Sequence, residues 1–117
     1  MILEEPMNWW VSLLFILPMC IVAYVLHIKP PKKINTVYGY RTKRSMSSQE
    51  MWDEANRYFE KIFIYYLIFL VITAIFFSVL SWSLLLYTLS YICGLIVLIP
   101  ITERHLINFE KRLKQNK

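Results

Sequence analysis

Residues 62–102 read IFIYYLIFLVITAIFFSVLSWSLLLYTLSYICGLIVLIPIT, without one Asp, Glu, Lys or Arg. As a single helix this run would be about 60 Å long, twice the roughly 30 Å of a bilayer's hydrocarbon core. It therefore has to fold back on itself. Ser81-Trp82-Ser83 is the polar break nearest its middle, which predicts spans over 62–80 and 84–101. Trp82 and Tyr87 would lie at the outer interface, where amphipathic rings are favoured.

Working outward, Pro6–Leu26 is also free of charge and predicts a first span over 9–28. Pro30-Pro31 stops it, because proline lacks a donor and restricts the residue before it. A cleaved signal is not expected, since the leading segment carries Glu4 and Glu5 instead of a basic n-region. Leu17-Pro18-Met19-Cys20 loosely resembles a lipoprotein box, but Met19 stands where a small residue is required. Hydrophobic residues make up 57% of the 117 residues, more than a soluble domain this small can hide. One membrane domain over 1–117 is the expectation.

The 13 basic residues then sort to one side of three spans. Lys29, Lys32, Lys33, Arg41, Lys43, Arg44, Arg57 and Lys61 lie in the 29–61 loop. Arg104, Lys111, Arg112, Lys114 and Lys117 lie in the 102–117 tail. The positive-inside rule puts loop and tail in the cytoplasm and the N-terminus outside. Membrane topology accounts for the charge, so nucleic-acid binding is not expected.

Within the loop, Ile34–Arg44 mixes aromatics, hydroxyls and bases around Gly39, which suggests a turn laid on the membrane surface. Ser47-Ser48-Gln49-Glu50 fits a capping box. Met51, Trp52, Ala55, Tyr58, Phe59, Ile62 and Phe63 follow at helical spacing, with Asp53 and Arg57 four apart as a pair on the wet face. An amphipathic helix over 48–61 is expected, lying on the inner leaflet or running directly into the second span. The fold class is thus an all-α integral membrane protein with three transmembrane helices and a cytoplasmic interfacial helix.

Pro31-Lys32-Lys33-Ile34-Asn35, Tyr38-Gly39-Tyr40-Arg41-Thr42, Ser45, and Trp52 with Ala55-Asn56 together resemble the signature of the SdpI family, bacterial membrane proteins named for immunity to a secreted peptide toxin. Pro100-Ile101-Thr102-Glu103 with Leu106 is similar to that family's closing segment. The resemblance covers 30–106 and matches the short form, without the founding protein's extra spans. It implies a multi-pass protein of the bacterial cytoplasmic membrane that protects its cell from a membrane-active peptide by binding. The founding protein also holds a transcriptional repressor at the membrane. Candidate ligand- or partner-binding residues are Asn35, Tyr38, Gly39, Tyr40, Arg41, Thr42, Ser45, Trp52, Asn56 and Glu103.

Arg41 stands out physically, since a guanidinium can stack on Tyr38, Tyr40 or Trp52 and still offer donors. Three readings are open: a tie to Glu103 that staples the loop to the bundle, a solvated charge, or a direct ligand contact. Asn56 either makes an interhelical hydrogen bond or binds ligand. Cys20 and Cys93 fall at similar depth and read as small buried apolar residues, with a disulfide or metal site as the alternative. His27 and His105 read as interfacial. Pro18 is expected to kink the first helix by freeing the Leu14 carbonyl. Ala74 with Ser78, and Ser90 with Gly94, would let the second and third spans approach closely.

No carboxylate dyad, phosphate loop, zinc helix or nucleophile elbow is present, so neither an enzyme nor a cofactor is expected. Expected partners are membrane lipids, a peptide toxin, a cytoplasmic regulator or further copies of the chain. A membrane-tethered regulator that docks a soluble partner is one alternative function, and a lipid-headgroup or small-molecule carrier is the other. The carrier is disfavoured because the spans hold few hydroxyls, such as Thr73, Ser78, Thr88 and Ser90, and no charge.

Overall fold

The computed structural model describes residues 5–116; Glu4 and Lys117 lie outside them. Three helices follow in order: α1 over Trp9–Ile28, α2 over Gln49–Val79 and α3 over Leu84–Gln115. All three are long and apolar enough to cross a membrane. The charge-free runs set α1 and the α2–α3 turn where the sequence places them. Asn8 caps α1 by accepting from the Val11 amide at 3.0 Å. Ser83 caps α3, and Ser81 turns the chain with φ 55°.

At the basic end no separate interfacial helix forms: from Gln49 the 48–61 stretch is the first 13 of the 31 residues of α2 and runs straight into the span, the second of the two expected arrangements. Likewise the tail from 102 continues α3 as far as Gln115. At 31 and 32 residues, α2 and α3 are each roughly 47 Å long, about 17 Å more than the hydrocarbon core. Both helices therefore project beyond the bilayer at the same end. The molecule is a rod, 56 × 25 × 21 Å.

The N-cap of α2 is Ser48, whose hydroxyl accepts from the Met51 amide at 3.1 Å. Glu50 is then the second helical residue and not the third, so the reciprocal capping box fails by one position. Its charge still favours the positive end of the helix. α1 and α3 run through Pro18 and Pro100 as continuous helices.

Three core clusters are strung along the rod. The first, by the turn, joins Met7, Ala74, Leu84 and Tyr87. The second, mid-membrane, joins Phe63, Tyr66, Leu70 and Leu98. The third, at the basic end, joins Tyr40, Met51, Ala55 and Leu106. Outside these seams the helices expose large apolar side chains, Leu14 and Val79 among them. In water so much apolar surface would drive aggregation; lipid covers it.

The turn end carries a strap that has no signal in the sequence. Pro6 pairs with Ser83 in an isolated bridge. The Met7 amide donates to the Trp82 carbonyl at 2.7 Å, and the Leu84 amide to the Glu5 carbonyl at 2.9 Å. Met7 is buried beneath it. This clip joins the start of α1 to the α2–α3 turn. Trp9, Trp10 and Trp82 are exposed around it, as an aromatic belt requires. Tyr87, expected in that belt, is instead wholly buried, its hydroxyl donating to the Leu70 carbonyl of α2 at 3.2 Å.

Candidate functional site

The polar loop is not laid out flat. It folds into a knob seated on the projecting parts of α2 and α3. Asn35 starts it: its side-chain oxygen accepts from the Val37 and Tyr38 amides, each at 2.9 Å, and its amide nitrogen donates to the Lys33 carbonyl. Asparagine favours such turns because its short side chain mimics a backbone acceptor. The Tyr38 hydroxyl reaches back to the Lys29 carbonyl at 2.7 Å.

Gly39 has φ +105°, a conformation that side chains oppose. A Cβ there would also stand 2.7 Å from Asn56 Oδ1 and 2.8 Å from Pro31 Cγ. That closeness lets the Tyr40 amide donate to Asn56 Oδ1 at 2.6 Å. Asn56 in turn donates to the Trp52 carbonyl. Trp52 is fully buried and its indole N–H donates to the Pro31 carbonyl at 2.6 Å. Asn56 thus bonds the loop rather than another helix.

Ser45 and Thr42 close a second turn. The Thr42 amide donates to Ser45 Oγ at 2.8 Å and the Ser45 amide to Thr42 Oγ1 at 3.1 Å. The buried Ser45 hydroxyl donates to the Tyr40 carbonyl at 3.0 Å. This turn decides which arginine meets α3. Arg44 Nε donates to Glu103 Oε2 at 3.2 Å and its Nη1 to Glu110 Oε2 at 3.1 Å. The two carboxylates are seven residues apart, on one face of α3.

The expected Arg41–Glu103 tie is therefore not formed. Arg41 Nη1 donates to the Thr36 carbonyl at 2.6 Å and closes the loop on itself. Glu103 is shared instead by Arg44 and by the Tyr40 hydroxyl, the latter at 3.0 Å. Burial, reinforced by Glu103, pushes the Tyr40 phenol well above its ordinary value. Lys114 and then Arg44 hold the Glu110 carboxyl below the usual range.

A second tie crosses from α2 to α3. Glu54 accepts from Arg57 and lies 2.8 Å from His105 Nε2. His105 stacks face to face on Tyr58, ring centroids 3.8 Å apart. Burial alone would raise the Glu54 carboxyl, but Arg57 and His105 outweigh it and hold it low. The Asp53–Arg57 pair is replaced by Glu54–Arg57, while Asp53 accepts from Gln49. His27 meets Glu60 at 2.9 Å. Each of these histidines is bound to a carboxylate of α2.

All ten candidate residues are brought together in or against the knob. Nine of them spend hydrogen bonds on its internal construction, and Gly39 permits the close approach. Sequence reading passed over Arg44 and Glu110; the seven-residue spacing of Glu103 and Glu110 on α3 was the available signal. Among the described residues no three His, Cys, Asp or Glu side chains converge as metal ligands.

The membrane part offers a different feature. Gly94 lies under the Tyr66 ring, where a Cβ would be 2.6 Å from Tyr66 Cε2. Beside this close approach α2 and α3 leave a groove of about 560 Å³, walled by Ile62, Tyr65, Phe69, Cys93, Val97 and Ile101. No charged residue lines it. Cys20 and Cys93 are free and exposed, not buried and not paired. The hydroxyls of Thr73, Thr88 and Ser90 bond carbonyls of their own helices. Tyrosines make the ties between helices, as where Tyr66 donates to the Tyr91 carbonyl at 2.7 Å.

A family model described as the SdpI/YfhL protein family matches residues 32–102. The chain is 44% identical over 96 residues to "Uncharacterized protein YfhL" of Bacillus subtilis (strain 168), an alignment covering 82% of this chain and 79% of that one. No solved structure matches it.

Proposed function

The chain belongs to the SdpI/YfhL family of membrane proteins, and on that premise we propose that it is an immunity-type protein of the bacterial cytoplasmic membrane. It protects by binding a membrane-active peptide within the bilayer, not by catalysis. The basic knob faces the cytoplasm and the Ser81 turn faces outward, following the distribution of its cations.

The observation that carries this reading is the groove between α2 and α3. It opens sideways into lipid, where an apolar peptide partitions. Its small floor at Gly94 and Cys93 allows close helix packing, and its tyrosine walls offer large contact area at little entropic cost. The motif residues, by contrast, are hydrogen-bonded to one another. Their role is to hold α2 and α3 in the register that forms the groove.

The test is protection of a sensitive bacterial strain expressing the chain, challenged with a panel of membrane-active peptides. Val97→Trp and Cys93→Trp fill the groove and should abolish survival at unchanged protein level in the membrane. Full protection by both variants would remove the groove from the mechanism. Absence of protection by the unaltered chain against every peptide would remove immunity itself.

A further inference from the structure

One face of the knob turns apolar side chains outward. Ile34, Val37 and Tyr38 are exposed there, Val37 to 81%. Behind Tyr38 and Gly39, side chains of Ile21, Val25 and Leu26 on α1 and Phe59 on α2 line an apolar crevice of about 290 Å³. Ile21 and Val25 are exposed along α1, so the crevice opens where acyl chains lie.

Cations adjoin its Tyr38–Gly39 wall, Lys29 through the Tyr38 hydroxyl bond and Arg41 two residues beyond Gly39. The Tyr38 hydroxyl fixes the loop to the Lys29 carbonyl at 2.7 Å. The bond from Arg41 to Thr36 uses one of five guanidinium N–H donors. Lys29, Lys32, Lys33 and Arg41 are all exposed. Among the described residues none has a carboxylate at ion-pair distance. On the adjoining turns of α2, Asp53 accepts from Gln49 and Glu60 is bound to His27. An apolar slot under unpaired cations is complementary to an anionic amphiphile. A neutral lipid leaves the charges unanswered, and free phosphate leaves the slot empty. The exposed Val37 among lysines also suits a segment dipped into the interface.

We infer that this crevice seats an acyl chain of an anionic phospholipid whose phosphate is held by Arg41 and Lys29. Arginine suits the task because its planar fork matches phosphate oxygens two at a time, and the lysine stem can lie along α1 while its ammonium reaches the headgroup. The seat is separate from the α2–α3 groove and stands or falls independently of peptide binding. Its effect is to pin loop, α1 and α2 together at the membrane surface.

The experiment uses the purified full chain in neutral detergent, titrated with dioleoyl phosphatidylglycerol or dioleoyl phosphatidylcholine. Bound lipid is read by native mass spectrometry and the unfolding midpoint is followed in parallel. Phosphatidylglycerol should bind more tightly and raise the midpoint more. Each cation removed should weaken it about fivefold, so Lys29→Gln with Arg41→Gln should cost about twenty-five-fold. Phosphatidylcholine, whose choline offsets the same phosphate, should lose much less in that variant. Lys111→Gln, a cation of the α3 tail, should leave both lipids unaffected. Val22→Trp, on the lipid-exposed side of the same crevice, should weaken both lipids without unfolding the chain. Equal binding of the two lipids would overturn the inference, as would a loss in Lys111→Gln matching that in Arg41→Gln. Displacement of phosphatidylglycerol by millimolar inorganic phosphate would mark a free-anion site and overturn it too.

Discussion

The two ends of α2 and α3 are the same helices in different solvents, and they are held together differently. In the membrane the pair meets through Gly94 under Tyr66, a few tyrosine hydroxyls and side-chain packing. Beyond the membrane it is bound by the buried Trp52, by Ser45, and by the chain of contacts Tyr40–Glu103–Arg44–Glu110. Lipid tails are as apolar as leucine, so burial between spans gives little driving force. Water restores it. The knob is therefore where apolar burial and polar satisfaction can fix the angle and register of helices whose packing inside lipid carries little driving force.

If the knob sets that register, its most constrained position should matter most. Gly39→Ala forces a side chain into φ +105° and against Asn56 and Pro31. We expect a loss of about 3 kcal/mol from strain and overpacking, with the loop losing hydrogen-exchange protection before the spans do. Unfolding of loop and spans in a single step would erase the distinction between the two regions.

Trp52→Phe probes the same lobe with less disruption. It keeps an aromatic ring but deletes the donor to the Pro31 carbonyl, leaving a buried acceptor unsatisfied. The expected loss is about 2 kcal/mol, read from the thermal midpoint in detergent. Stability unchanged within error would mean that water replaces the indole and that the knob is softer than its burial implies.

The arginines sharpen the comparison on a smaller scale. Arg44→Gln cuts two ties to α3. The side chain is 38% exposed, so solvent screening limits the loss to about 1 kcal/mol. Arg41→Gln removes only a loop-internal bond and should be nearly neutral in lipid-free detergent. The reverse order of effects would reinstate Arg41 as the staple.

That reversal shows how far the sequence could be read. Charge-free length placed α1 at Trp9–Ile28 and the turn at Ser81–Ser83, because bilayer thickness and hydropathy act locally and strongly. The residue types that build the knob were also visible as a motif, and all ten candidates lie in or against it. Which of two guanidiniums three residues apart would reach Glu103 was not legible. It depends on the reciprocal Thr42–Ser45 turn, which rotates Arg44 toward α3 and Arg41 away. Nor could hydropathy tell that Tyr87 points inward, since it reports depth along a span and says nothing of azimuth. The Glu5–Met7 strap is made by backbone groups, which leave no imprint on side-chain identity.

A small effect inside the membrane tests the solvent argument most directly. Tyr87→Phe deletes a buried donor to a carbonyl, the same chemical change as Trp52→Phe, but inside the bilayer region. The freed Leu70 carbonyl still accepts within its own helix, and a chain unfolded in the membrane finds other partners for its hydroxyl. Interhelical bonds between spans average about 0.6 kcal/mol for that reason. Tyr87→Phe should therefore cost about a third of what Trp52→Phe does, measured on both variants in the same lipid nanodisc. Equal losses would mean that the hydrogen bond carries the same weight on both sides of the interface. The register of α2 and α3 would then be set along their whole length and not by the knob.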